Sequence, residues 1–231
     1  MALTLPHYFY AYQCGFSAMI IFDEWYIQLY NIIFTSLPVV LLGVCDSDVH
    51  PDIDGAQYKT YLPLLYYEGQ HRLLFNIREF FLALLQGLIH AGVIFFVTII
   101  AFEESGILNQ DTGYATDLWT SSVAIFTSLI VTVNINLILR MKFMTAWHGL
   151  SILLISFGSY QGFMWLTNYI DIGWTHSAVI ETHRSNIFYM TFILTVSACF
   201  VMDFMMLGTK VLLRTGPASY LRILINHKVP I

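Results

Sequence analysis

Long runs of apolar residues constrain the fold of this 231-residue chain more than any other feature. A helix needs about 20 apolar residues to cross the hydrocarbon core of a bilayer. Six runs reach that length within a few residues, and they cover 2–22, 26–44, 80–102, 118–139, 146–166 and 187–208. Because hydrocarbon offers no partner to an unpaired backbone group, such runs cross a membrane as helices. The runs therefore predict an all-α membrane protein, a bundle of six transmembrane helices.

The composition excludes an ordinary soluble domain. Only 11% of the residues are charged and the mean hydropathy is +0.67, whereas a soluble domain has roughly 25% charged residues. The chain has no basic block suited to nucleic acid, no glycine-rich phosphate loop and no recognisable nucleophile set. The acidic segment DSDVHPDID lacks the spacing of an EF-hand. We therefore predict no catalytic residue, no metal site and no nucleic-acid partner.

The distribution of basic residues predicts the orientation. With six spans, both chain ends and the segments 45–79 and 140–145 lie on one side, and that side has nine of the ten lysines and arginines. Only Arg184 lies on the other side. Because basic segments stay in the cytoplasm, both termini are predicted to be cytoplasmic. The second half of 45–79 and the tail are interpreted as amphipathic helices on that interface, with an ordinary solvated loop as the alternative.

The second run is polar in its middle without being charged. Asn31, Thr35 and Pro38 are spaced i, i+4 and i+7, so a regular α-helix would place them on one face. Pro38 cannot donate a hydrogen bond to the carbonyl of Phe34, which predicts a loosened helix that faces protein or a polar cavity. Two interpretations stay open. These residues contact a polar substrate, or they only bond a neighbouring helix.

Polar residues in the other runs have simpler interpretations. Cys14 and Ser17 make the first run more polar than a lipid-facing anchor. The three cysteines of the chain are interpreted as small, buried hydrophobic side chains. His90 is interpreted as a neutral histidine bonded to a neighbouring helix. Asp203 is interpreted as structural, with Lys210 one or two turns away as its partner. Asn134 and Asn136 are also interpreted as structural.

Several segments together resemble one family. They are GFS at 15–17, FDEW at 22–25, LYNIIFTSLPVVLLGVCDSDV at 29–49, YEGQHRLLFN at 67–76, TVNINLIL at 132–139, WHGLSILLISFGS at 147–159 and VMDFMMLGTKV at 201–211. They are similar to the C-terminal membrane region of type-IV P-type ATPases, the phospholipid flippases. The resemblance covers nearly the whole chain, and the block Asn-x-x-Phe-Thr-x-x-Pro-x-x-x-x-Gly is its most specific part. Two departures stand out, because family members commonly have asparagine at Cys14 and glycine at Ala18.

The resemblance implies an architecture and a set of partners. Residues 1–215 would be spans five to ten of a flippase, and residues 216–231 a short cytoplasmic tail. The chain begins inside an apolar run, so we expect a fragment or a truncated gene model. The actuator, phosphorylation and nucleotide-binding domains of the family would precede Met1, so ATP and Mg²⁺ are implied for the complete enzyme and no cofactor for this chain. An accessory glycoprotein subunit of two spans would contact the 103–117 loop.

The resemblance also implies a function. The chain would be the membrane-embedded C-terminal part of an ATP-driven transporter that moves phospholipid from the exoplasmic to the cytoplasmic leaflet. Candidates for the phospholipid headgroup path are Asn31, Thr35, Pro38, Ser17 and Cys14. The alternatives are a non-enzymatic, flippase-derived membrane protein or regulator, and part of a cation-transporting P-type ATPase. Golgi, endosomal and plasma membranes all stay open for this multi-pass protein.

Overall fold

The chain folds into long helices with one small pair of strands. The computed structural model describes residues 1–46, 76–109, 113–141, 145–170, 175 and 177–213. The elements in chain order are α1 (Thr4–Gln13), α2 (Glu24–Leu29), a π-helical segment (Tyr30–Phe34), α3 (Ser36–Cys45), α4 (Ile77–Ser105), β1 (Ile107–Asn109), β2 (Tyr114–Ala115), α5 (Leu118–Arg140), α6 (Ala146–Leu150), a second π-helical segment (Ser151–Gly158), α7 (Ser159–Ile170), α8 (Ala178–Arg184) and α9 (Asn186–Leu213). The proposed interfacial helices of 45–79 and of the tail fall almost entirely outside the described residues.

Five stretches of helix are long and apolar enough to cross a membrane. They are Glu24–Cys45, Ile77–Ser105, Leu118–Arg140, Ala146–Ile170 and Asn186–Lys210. Each contains most or all of one predicted run, from the second to the sixth. The prediction of membrane-spanning helices is therefore confirmed for these five runs.

The first predicted run is not one continuous helix. α1 has only ten residues, which is about 15 Å and half of the hydrocarbon thickness. It ends because Gly15 takes the left-handed conformation, with φ of +61°. The amide of Phe16 then bonds the carbonyl of Ala11 and that of Gly15 bonds Tyr12, which is the Schellman pattern of a helix end. The prediction of a helix over 2–22 is corrected to a short helix followed by an irregular segment.

The helices pack in two groups that share α5. α9 packs along both α4 and α5, and these two also contact each other. On the other side, the 24–45 helix packs against the 146–170 helix. α5 has the largest buried share of the five candidate spans, so it is the central helix of the described bundle.

A short antiparallel pair of strands closes the connection between α4 and α5. Ile107 pairs with Ala115, and Asn109 with Tyr114. The Tyr114 hydroxyl donates to the Asp117 carboxylate at 3.2 Å, and Asp117 caps α5. Burial, with the charge of Asp117 beside it, raises the pKa of Tyr114. The strands therefore fix where α5 begins.

Candidate functional site

The 24–45 helix is interrupted in its middle by a wide turn. Between α2 and α3, Tyr30–Phe34 is π-helical. The Tyr30 carbonyl accepts two hydrogen bonds from Thr35, one from its amide at 3.1 Å and one from its hydroxyl at 2.8 Å. A proline further along removes one backbone donor and its ring crowds the carbonyl four residues before it, and π-turns are one way in which helices absorb such a defect. The predicted loosening of the helix near Pro38 is confirmed.

The wide turn separates the three residues that sequence spacing placed on one face. Asn31 is exposed, Thr35 is half-buried and Pro38 is buried. The i, i+4, i+7 argument assumes 3.6 residues per turn, and the π-helical segment changes that spacing between Asn31 and Thr35. The prediction of one shared face is therefore corrected. Asn31 is an amide on the outer side of the turn, whereas Pro38 packs inward.

The other two predicted residues lie in the irregular segment after α1. Cys14 is half-buried, with its Sγ 3.6 Å from the carbonyl of Ala11, and Ser17 is exposed. Within the described part of the chain, no hydrogen bond joins either residue to Asn31, Thr35 or Pro38. The structure thus gives two separate groups of predicted residues, one at the end of α1 and one around the π-turn.

A wall of aromatic side chains fixes the inner side of the interrupted helix. Its residues recur every four positions, and they are Phe22, Tyr26, Tyr30 and Phe34, all buried. They pack against Phe126 of α5 at ring distances from 5.2 to 6.5 Å. Sequence analysis missed this wall, although the four-residue spacing of aromatic residues was visible in the sequence.

Tyr160 of α7 completes the aromatic wall. Its ring lies 5.4 Å from that of Phe34 in an edge-to-face arrangement. Its hydroxyl lies 2.7 Å from the hydroxyl of Thr127, which also donates to the carbonyl of Val123. A threonine hydroxyl has one proton to donate, so Tyr160 is the donor and Thr127 the acceptor. The wall is therefore held by rings and by a buried, directed hydrogen bond.

His148 links the end of the interrupted helix to α6. The imidazole is fully buried. Its Nδ1 lies 2.5 Å from the Thr145 hydroxyl and its Nε2 lies 3.2 Å from the carbonyl of Leu41. A carbonyl can only accept, so Nε2 carries a proton and donates to Leu41. This contact ties α3 to the 146–170 helix. Sequence analysis did not single out His148, because nothing in its spacing indicates a partner more than 100 positions away.

Several buried polar residues of the remaining spans have partners on other helices. Asn134 donates to Ser156 at 2.7 Å, so its predicted structural role is confirmed. His90 lies 2.7 Å from Asp203, which confirms a partner on a neighbouring helix. The pairing of Asp203 with Lys210 is corrected, because the Lys210 ammonium lies 2.9 Å from Glu79 instead. Asp203 faces the bundle interior, whereas Lys210 is near the end of α9.

The amino-acid sequence matches one described family over most of its length. The family "Phospholipid-translocating P-type ATPase C-terminal" matches residues 1–215. Phospholipid-transporting ATPase IC of Xenopus tropicalis is 34% identical over 216 residues, which is 86% of this chain and 16% of that protein.

Two mammalian proteins are similar over a shorter stretch. Probable phospholipid-transporting ATPase IM of Homo sapiens is 37% identical over 144 residues, 62% of this chain and 12% of that protein. Phospholipid-transporting ATPase ID of Mus musculus is 38% identical over 145 residues, 63% of this chain and 11% of that protein. The chain thus spans less than a fifth of the length of these relatives. It belongs to the family of phospholipid-translocating P-type ATPases and corresponds to their C-terminal membrane part, that of a multi-pass integral membrane protein.

Proposed function

We propose that this chain is the membrane part of an ATP-driven transporter that moves phospholipid from the exoplasmic to the cytoplasmic leaflet. The names of the relatives support this, since each is a phospholipid-transporting ATPase. ATP and Mg²⁺ are bound by the domains that precede this region in the family, and this chain supplies the helices that the lipid passes. The parts of the relatives that lie outside the match are long enough to contain those domains.

One observation carries the proposal for the lipid path. A π-turn interrupts a span that is otherwise apolar, and it presents an amide, Asn31, on its exposed side. The neighbouring exposed side chains are apolar, as at Ile32 and Leu37. An exposed amide among apolar side chains at the π-turn is costly in hydrocarbon unless it meets a polar group. A passing headgroup supplies such a group during transport.

The chemistry of the turn favours a headgroup over a bare cation. Between Glu24 and Asp46 the span has no carboxylate, whereas bound Ca²⁺ takes charged oxygen ligands. A phospholipid headgroup brings its own charges, so amide and hydroxyl groups suffice to contact it. Thr35 belongs to the path because its hydroxyl shapes the turn. Pro38 keeps the turn open by removing one backbone donor.

The end of α1 forms the second part of the proposed path. Ser17 is exposed and Cys14 half-buried, in a segment where Gly15, Phe16 and Ala18 all have positive φ. Such irregular backbone is tolerated at membrane depth only where it faces protein or a polar cavity. A headgroup that moves past α1 and then past the π-turn would meet both groups of predicted residues in turn.

The proposal includes six crossings with both chain ends in the cytoplasm. The first crossing comprises α1 and the irregular segment after it. The nine-to-one distribution of lysine and arginine supports this orientation. The 103–117 loop then lies on the exoplasmic side, where we expect an accessory glycoprotein subunit of two spans to contact it. The loop is acidic and without lysine, and Glu103 and Glu104 are exposed.

The lipid path is tested in a reconstituted ATPase that includes this membrane part. Asn31→Leu and Thr35→Val are assayed for ATP hydrolysis stimulated by a series of phospholipid headgroups. Gln28→Leu is the matched control, because Gln28 is an exposed amide one turn earlier on the same helix. We expect the first two variants to change half-saturation or rank order among headgroups, while expression stays near normal.

An unchanged dependence on the headgroup would mean that Asn31 and Thr35 have only a structural role. If both variants keep the wild-type order and half-saturation for every lipid, Asn31 and Thr35 only stabilise the helix, with an effect of about 1 kcal/mol on unfolding. The control variant Gln28→Leu should behave like the wild type in either case.

Labelling of single cysteines tests the six crossings. In a background without Cys14, Cys45 and Cys199, the test positions are exposed residues, namely Thr4, Glu24, Asn76, Glu104 and Ser177. Impermeant reagents should reach positions 24, 104 and 177 from the exoplasmic side, and positions 4 and 76 from the cytoplasmic side. If positions 4 and 24 react from the same side, the first run does not cross and only five crossings remain.

A further inference from the structure

A cluster of buried polar side chains joins α4, α5 and α9 away from the proposed lipid path. Gln86 and His90 come from α4 and Asp203 from α9, and their exposed fractions are 6%, 5% and 5%. His90 is near the middle of its span. Ionisable groups at such a depth are rare, and those that occur are paired and tied to a function.

One oxygen of Asp203 has two close neighbours. The Gln86 amide donates to Oδ1 at 2.5 Å, and the Nε2 of His90 lies 2.7 Å from the same atom. The carbonyl oxygen of Gln86 in turn accepts from the Arg140 guanidinium at 2.6 Å. Arg140 is at the exposed end of α5, so two hydrogen bonds separate the buried carboxylate from the surface.

The cluster leaves polar atoms without hydrogen-bond partners among the described residues. They are Nε2 of His90, Oδ2 of Asp203 and Oγ1 of Thr132. The His90 nitrogen is therefore close to the Asp203 oxygen but is not aligned for a hydrogen bond. A proton on Nε2 would turn this close approach into a hydrogen bond, and a charged imidazolium would make that bond stronger than a neutral imidazole would. Cys199 lies beside both Asp203 and Thr132, so the unpartnered atoms belong to one region.

No lysine or arginine among the described residues contacts Asp203 directly. Gln86 is neutral, and Arg140 reaches Gln86 rather than the carboxylate. Lys210 of the same helix is engaged with Glu79 of α4. A buried carboxylate without a paired charge is costly.

Within the described ranges, the other helices that pack against α4 and α9 bring no further charge to the pair. α1 contacts α4 through Phe9, which packs on Phe95 and Phe96. Its one histidine, His7, bonds the carbonyl of Leu3. α8 packs beside the strands, where Glu181 accepts from Asn109. A proton on His90 is therefore the nearest source of compensating charge for Asp203.

We propose that His90 and Asp203 form a proton-binding site that ties α9 to α4. Taking up one proton converts His90 to an imidazolium, which donates to Asp203 and leaves a neutral pair in the interior. The ligand is a proton rather than a metal ion, because no three His, Cys, Asp or Glu side chains among the described residues are grouped to hold one.

The site goes beyond lipid transport, because it makes the packing of α9 depend on pH. When the proton is bound, the ion pair holds α9 against α4. When it is released, the imidazole is neutral and no longer balances the charge of the carboxylate, so α9 is held less tightly. The pair acts on the bundle at α4, α5 and α9 and touches none of the residues of the proposed lipid path.

Nitrogen-15 NMR of histidine-labelled protein in lipid nanodiscs tests the site. The His90 signals are assigned with His90→Gln and followed from about pH 8 to about pH 5. We expect them to change from a neutral tautomer to the imidazolium within this range. His148 is the internal control, because both of its nitrogens are engaged and Nε2 donates to a carbonyl. At about pH 8 its signals should be those of the neutral Nε2–H tautomer, which gives the reference for an uncharged imidazole.

Two variants distinguish an effect of the His90–Asp203 pair on proton uptake from a general effect of charge on α9. Asp203→Asn removes the carboxylate and should abolish or strongly lower proton uptake by His90. Lys210→Gln removes a charge on the same helix and should leave it unchanged. If the His90 signals of the wild-type protein stay neutral throughout, or if Asp203→Asn leaves proton uptake unchanged, the site does not bind a proton. The wild-type measurement decides even if Asp203→Asn fails to fold.

Discussion

Two substitutions that break the hydrogen bond between Tyr160 and Thr127 should lower the free energy of unfolding by different amounts. Tyr160 is fully buried and Thr127 is 4% exposed, and Tyr160 donates because the Thr127 proton goes to Val123. Tyr160→Phe removes the donor and leaves only one acceptor lone pair of Thr127 unused. Thr127→Val instead leaves the buried Tyr160 hydroxyl without an acceptor. The two substitutions break the same bond at different cost.

The magnitudes follow from what each variant leaves behind. Interhelical hydrogen bonds in membrane proteins average about 0.6 kcal/mol, so Tyr160→Phe should lower the free energy of unfolding by about that amount. An unsatisfied buried donor costs about 1–3 kcal/mol, so Thr127→Val should cost more. The double variant removes both polar groups and should be more stable than Thr127→Val alone. Tyr160→Leu also loses the ring contacts with Phe34 and Phe126, each worth about 0.5–1.5 kcal/mol, and should be the least stable.

Thermal unfolding in detergent, followed by tryptophan fluorescence, measures this cycle. For a chain of this size, 1 kcal/mol shifts the midpoint by about 2–4 °C. We expect the midpoints to fall in the order wild type, Tyr160→Phe, double variant, Thr127→Val. If Tyr160→Phe is less stable than Thr127→Val, the assigned direction of the bond is wrong. If the double variant equals the sum of the single effects, the two hydroxyls do not interact.

Two further predictions concern local features. Ala18 has φ of +62°, a conformation that costs a residue with a side chain about 1–2 kcal/mol, so Ala18→Gly should raise the thermal midpoint. The control Ala11→Gly lies inside α1 and should lower it, and a lower midpoint for both variants would contradict the assigned conformation. His148→Gln should cost about 1–2 kcal/mol because it disturbs two buried hydrogen bonds. The half-buried His7, bonded to the carbonyl of Leu3 at the start of its own helix, should tolerate glutamine better, and equal losses would refute the role of His148 as a link between helices.

Hydropathy predicted the long helices well because the length and apolarity of a helix decide whether it can span a membrane. The run 80–102 became Ile77–Ser105, and the run 118–139 became Leu118–Arg140. The prediction of one continuous helix over the first run was wrong because mean hydropathy takes no account of backbone conformation. One glycine, Gly15, in the left-handed region ends α1, although the surrounding residues are apolar. That glycine was the signal in the sequence, because helices commonly end at such a position.

The local helix geometry at the candidate site was predicted in part, for a similar reason. Pro38 indicated a loosened helix, and the π-turn bears this out. The spacing argument could not say that the turn would lie before Pro38, and a wider turn moves the exposed Asn31 out of register with the buried Pro38. Spacing also failed for Asp203, because it placed Lys210 on a nearby turn but could not show that α4 offers Gln86 and His90. Contacts between distant helices depend on packing, which one sequence does not display.

The central claim is that a phospholipid headgroup passes the π-turn at Asn31. The direct measurement places a photoreactive amino acid at position 31 in a reconstituted ATPase that includes this membrane part, with phospholipids isotopically labelled in the headgroup. The control position is Val44, which is 75% exposed and lies near the end of the same helix. We predict headgroup adducts at position 31 that form during ATP turnover, and adducts at Val44 that do not depend on ATP. If position 31 gives only acyl-chain adducts, equally with and without ATP, no headgroup passes this turn.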